Sequence, residues 1–135
     1  MATINAASLK DVQPSGDRGA MHAHGYVTLA AAAVADKVRL VKVFAGTKIF
    51  QTTLINAALG ASTTVSVGFE YVDGQAGGSA TALIPATATN AIAKTESIVR
   101  PIVLDYDAYI TATIGGAAAT GQVDVTVLFE HRGTY

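Results

Sequence analysis

The feature that most limits what this chain can fold into is a strict alternation of apolar and polar residues that recurs along its length. Val123, Val125, Val127 and Phe129 alternate with Gln122, Asp124, Thr126 and Glu130. Val65, Val67, Phe69 and Tyr71 likewise oppose Thr64, Ser66, Gly68 and Glu70. Period two is the signature of a strand with one buried face. His22, His24 and Tyr26 share one face of an earlier strand, and Tyr109, Thr111 and Thr113 alternate with Ile110, Ala112 and Ile114. Val38, Leu40 and Phe44 alternate with Arg39, Val41 and Val43, so this segment is apolar on much of both faces. A further strand falls within Ile49–Leu59, less regularly ordered.

Turn chemistry separates these runs. Asp73-Gly74 ends one strand, Gly74 to Ser79 is a glycine-rich loop, and 115–121 (GGAAATG) reads as another loop. Thr81 to Ala93 has poor periodicity and is interrupted by Pro85; Pro101 within Ile98–Leu104 fits an edge strand or a turn. No segment carries ten residues of helical periodicity, and Ala30–Ala35 is too short to sustain an isolated helix. The expectation is an all-β domain: a single β-sandwich or jelly-roll-like barrel of about seven to eight short strands. Pro14, Gly16 and Gly19 and the lack of periodicity mark residues 1–18 as an extended N-terminal arm, leaving 19–135 as the sandwich.

Composition narrows function. Charged residues make up 14% of the 135, well below the usual share of about 25%, which points to surface covered by partners. The net charge of -1, with acidic and basic residues interspersed, leaves no basic field for nucleic acid or anionic lipid. There is no cysteine, so disulfides and thiolate metal sites are excluded. Met1–Leu9 has neither a basic nor an apolar signal region, and the longest apolar stretch, Leu29–Ala35, is far short of the roughly 20 residues of a membrane helix. The expectation is a soluble chain made in the cytoplasm, with no membrane partner.

Chemistry is sparse. His22 and His24, at i and i+2 on one strand face, are the metal-ligand candidates, with a third ligand needed from His131 or another subunit. The plainer reading is two polar residues on an exposed face. Asp105 and Asp107 flank Tyr106 without further oxygen ligands and read as loop residues. There is no Gly-x-Ser-x-Gly elbow and no phosphate loop after Gly77-Gly78. The chain therefore reads as non-enzymatic, with no cofactor.

Leu59-Gly60-Ala61-Ser62-Thr63-Thr64-Val65-Ser66-Val67-Gly68, together with Tyr109 to Gly121 and the valine strand after it, resembles the small β-rich structural proteins of tailed bacteriophages. Some of these serve as head decoration, or cement, proteins. The resemblance spans about Val38 to Phe129. It implies a virion protein on the capsid surface, with the major capsid protein as partner, and carries over no catalytic residue. Decoration sites on local symmetry axes favour a homo-oligomer, a trimer first and a dimer second. An arm can add a strand to a neighbour, which makes Leu9, Val12 and Arg18 the partner-contact candidates. A tail, neck or fibre-base component, and a carbohydrate- or receptor-binding module using Tyr71, Tyr106 and Tyr109, are the competing readings.

Overall fold

The computed structural model describes residues 2–6, 9 and 21–131, the side chains of Met21 and His131 excepted. Among the described residues ten strands follow in chain order: β1 (Thr3–Asn5), β2 (Met21–Ala32), β3 (Lys37–Val43), β4 (Thr47–Asn56), β5 (Thr64–Tyr71), β6 (Ser79–Ala88), β7 (Ala93–Glu96), β8 (Ile102–Val103), β9 (Ala108–Gly115) and β10 (Ala119–His131). They form two separate sheets, β1-β3-β9-β5-β6 and β2-β10-β4-β7, with β8 pairing β4 beside β7. The architecture is thus an open sandwich and no barrel closes. The count exceeds the expected seven or eight because β1, β7 and β8 are too short to show a period.

Two bulges explain where the alternation blurs. In β3 the register with β9 slips between Arg39 and Val41, so Leu40 is an extra residue. The phase of the strand flips there, and Val38, Leu40, Val41 and Val43 are all buried. In β4 the register with β10 passes from Gln51 to Ile49, leaving Phe50 as the extra residue. Ile49, Thr52 and Leu54 then all point inwards. An apparently two-faced apolar strand is a one-faced strand with a kink in it.

The core lies between the sheets. Val123, Val125, Val127 and Phe129 of β10 and Leu54 of β4 meet Val65, Val67, Ile110, Ile114 and Leu40 of the other sheet. Gly25 in β2 faces inwards, where a Cβ would lie against Leu40 of the other sheet. Thr81–Ala93, unreadable from periodicity, holds most of β6, whose first residues, Ser79 and Ala80, cross over the outer face of β5. A Cβ on Gly68 would lie on the main chain of Ser79 and Ala80, so only glycine admits this crossing. Pro85 is tolerated because β6 is an edge strand. The loop expected over 115–121 shrinks to residues 116–118, since β10 already begins at Ala119.

The passage from β6 in one sheet to β7 in the other is pinned by buried polar groups. Asn56 Nδ2 donates to the carbonyls of Ala57 (2.7 Å) and Ala91 (3.0 Å). The Thr63 and Thr89 hydroxyls lie 2.9 Å apart, and main-chain bonds run from Thr89 N to Thr63 O and from Leu59 N to Thr89 O.

At the start of the chain, β1 pairs in parallel with β3, Ile4 opposite Val38. The Asp36 carboxylate holds this strand in place. It accepts from Ala2 N and from Ala33 N, each at 2.9 Å, in the turn between β2 and β3. These hydrogen bonds, the one from Ala2 first, hold the Asp36 carboxyl below its usual value against a smaller opposing effect of burial. Among the described residues no helix is long and apolar enough to cross a membrane.

Candidate functional site

The outer face of the β1-β3-β9-β5-β6 sheet carries a charged brace. Lys37 and Arg39, two apart on β3, reach across β9 to Glu70 on β5, with Lys37 Nζ and Arg39 Nε each 2.6 Å from a different carboxylate oxygen. Thr111 is buried beneath them. The Arg39 guanidinium also sits 4.7 Å over the Tyr109 ring. Partial burial pushes the Glu70 carboxyl up, but the hydrogen bonds and charges of Lys37 and Arg39 prevail and hold it below the ordinary glutamate value. A carboxylate so held is ionised at neutral pH and fastens three strands together; it is a poor proton donor.

Beside the brace, the crossing of Gly78 and Ser79 over β5 leaves an open cleft of ≈ 360 Å³. Its titratable lining groups are Lys37, Glu70 and Tyr71. Lys37 and Glu70 are already engaged with each other, so no nucleophile with a free base faces the cleft.

The outer face of the second sheet places the histidines. His22 and His24 are exposed and share a face, as the period predicts. Their cross-strand neighbours on β10 are Leu128 and Thr126, neither of them a strong metal ligand. His24 packs against Tyr26, ring centroids 5.4 Å apart, with Nε2 3.8 Å from Asp124 Oδ1. That same Asp124 oxygen accepts from Gln122 Nε2 at 2.8 Å, and Gln122 Oε1 accepts from Thr28 Oγ1 at 2.7 Å. His24 therefore belongs to a polar ladder across β2 and β10. Among the described residues no three His, Asp or Glu gather where a metal ion could sit.

Asp107 serves the fold by tying loops together. Its Oδ1 accepts from Ala45 N (2.8 Å) and its carbonyl from Val72 N (2.9 Å). Tyr71 is buried and meets the half-exposed Tyr106 edge-on at 5.2 Å, while Tyr109 lies under Arg39 on the other side of the brace. The three tyrosines are thus anchored by packing and do not converge on one patch. Of the arm residues expected to contact a partner, Leu9 is half-buried and its N–H bonds Ala6 O at 3.0 Å. Val12 and Arg18 lie outside the described residues.

Pro101 marks the segment that holds β8 as an edge strand or a turn, but periodicity does not reveal β7. Both strands pair with β4, and this stretch of chain exposes Ile92 (80%), Ile98 (91%), Val99 and Val103, with Ile55 of β4 nearby. Large exposed aliphatics gathered along one sheet edge mark a surface made to be covered.

No known sequence family matches the chain, and no curated protein is similar to it in sequence. Its fold is nevertheless shared. A chain in the solved capsid of Ralstonia phage GP4 superposes with a TM-score of 0.72 at 13% identity, covering 98% of this chain and 99% of that one. A chain of the acidic stable capsid of Helicobacter pylori bacteriophage KHP30 gives 0.62 at 15% identity, over 84% and 89%. A chain of the cyanophage Pam1 capsid asymmetric unit gives 0.61 at 16% identity, over 92% and 96%. The ten-stranded sandwich is therefore a fold found among the small β-rich chains of phage capsids.

Proposed function

We propose that this chain is a phage capsid decoration, or cement, protein: a structural, non-catalytic component that binds the outside of the head and stabilises the lattice of the major capsid protein. The observation that carries this reading is the end-to-end likeness to the GP4 capsid chain, which covers 98% of one chain and 99% of the other. A likeness that fills both chains is to a separate polypeptide of similar size. It is not a likeness to one domain of a larger shell subunit.

The surface chemistry supports the same role. A cement protein works by contact area and geometry, and many weak copies become firmly held when a lattice presents their sites together. The low charge and the braced outer face at Lys37, Glu70 and Arg39 suit such binding. Leu9, Val12 and Arg18 of the arm are the proposed contacts with the major capsid protein.

The test is quantitative mass spectrometry of purified particles. A copy number comparable to the major capsid subunit is the expected result. A ratio of a few per cent or absence from the particle would overturn the reading. In a reconstitution assay, substituting Leu9, Val12 and Arg18 is expected to weaken particle binding while leaving β1 and the isolated fold intact.

A further inference from the structure

We infer that β7 pairs with β7 of a second copy of this chain, about a two-fold axis at Thr95, and joins two sandwiches through one continuous sheet. The inference stands on the geometry of the edge and does not rest on the capsid reading.

The main chain sets the first condition. β7 is an edge strand whose neighbour in the sheet is β4. Ser97 N donates to Thr52 O at 2.8 Å, and the register places Thr95 opposite Leu54 and Ala93 opposite Asn56. Along an antiparallel strand, main-chain groups point alternately to the two sides. Residues 93, 95 and 97 therefore face β4, and Lys94 and Glu96 turn their N–H and C=O groups outwards. Both side chains are exposed and form a pair on the outer face, Lys94 Nζ to Glu96 Oε1 at 3.6 Å.

Charge selects the register. Among two-fold registers centred on this strand, one sets Lys94 against Lys94 and another sets Glu96 against Glu96. Like charges directly opposite are destabilising. The register about Thr95 instead sets Lys94 against Glu96 of the second copy, and Glu96 against its Lys94, so four charges alternate in sign around the axis. Continued one step, it sets Ile92 against Ile98 of the second copy. These are the two most exposed large aliphatics among the described residues, at 80% and 91%. Backbone parity, charge and apolar exposure select the same partner: this strand, inverted.

An edge this short makes a modest interface, weak in free solution and strengthened wherever another surface holds the copies side by side. The experiment is sedimentation equilibrium of the full chain from roughly 1 μM to 1 mM, a range suited to interfaces of this class. The wild type is expected to dimerise within it. Lys94→Glu and Glu96→Lys are each expected to weaken association at least about tenfold. The Lys94→Glu/Glu96→Lys double variant, and an equimolar mixture of the two single variants, restore opposite charges and are expected to restore the dimer. Because the chain has no cysteine, Thr95→Cys is expected to give a disulfide-linked dimer under mild oxidation, since this residue would lie opposite itself on the axis. A chain monomeric throughout, association indifferent to the charge swaps, or a Thr95→Cys variant that stays monomeric on oxidation would each overturn the proposal. So would single swaps that abolish particle binding by a chain that never self-associates, because the edge would then receive a different protein.

Discussion

Gly25 and Leu40 face each other across the sandwich so closely that a Cβ on Gly25 would lie 2.6 Å from the Leu40 Cβ. The bulge that turns Leu40 inwards and the absence of a side chain at Gly25 are one packing solution. Gly25→Ala is expected to destabilise the fold by about 1–3 kcal/mol, the usual range for overpacking, since the atom it meets lies next to the backbone and cannot swing away. Chemical denaturation measures the loss. A paired Leu40→Gly change would remove the opposing Cβ, so the two substitutions should be non-additive.

Glu70→Gln removes the charge from the brace and leaves Lys37 and Arg39 without their shared partner. The carboxylate is partly solvated, so the expected loss at neutral pH is about 1 kcal/mol and no more. Raised salt should lower the wild type towards the variant in denaturation midpoint.

The same carboxylate and that of Asp36 make stability depend on acid. Both titrate below their ordinary values in the folded chain. Their contribution is therefore complete above the unfolded-state range of about 4 and is lost as pH falls through the lowered native values. The wild type should lose denaturation midpoint steadily below about pH 5. A Glu70→Gln/Asp36→Asn double variant should start lower and change less. Equal slopes for the two proteins would refute this linkage.

Asn56 ties β4 to the crossing that delivers β7. Asn56→Ala would leave the carbonyls of Ala57 and Ala91 without that donor, at a cost of about 1–3 kcal/mol. Hydrogen exchange should rise most in the 89–97 segment, whose docking this amide secures, and least in the central β10.

Sequence made the regular strands plain and the irregular ones opaque, for physical reasons. In β5 and β10 one face is core and the other solvent or sheet surface, so alternation survives from end to end. In β3 and β4 a single extra residue reverses the phase, and two half-strands of opposite phase look like one ambiguous strand. β6 carries little pattern because its start lies over β5 and its far side is an edge. The histidine pair was legible as a shared face, since that follows from local geometry alone. The β7 edge was not, because Ile92 and Ile98 look like core residues until the fold leaves them outside. The Lys37–Glu70–Arg39 brace joins residues more than 30 positions apart, a distance over which periodicity says nothing.

The placement of β10 bears on how the protein is made. It is the last of the described strands in chain order, yet it lies between β2 and β4, pairing with both. As the polypeptide leaves the ribosome, β2 emerges about 100 residues before the strand it must pair with, and β4 follows it out equally unpartnered. The other sheet has all its described strands before β10 is reached in chain order, while the half bearing the histidines and the β7 edge waits for it. Non-local pairing of this kind is slow. The interval leaves an apolar sheet face uncovered, and a premature stop before Val123 would make that exposure permanent.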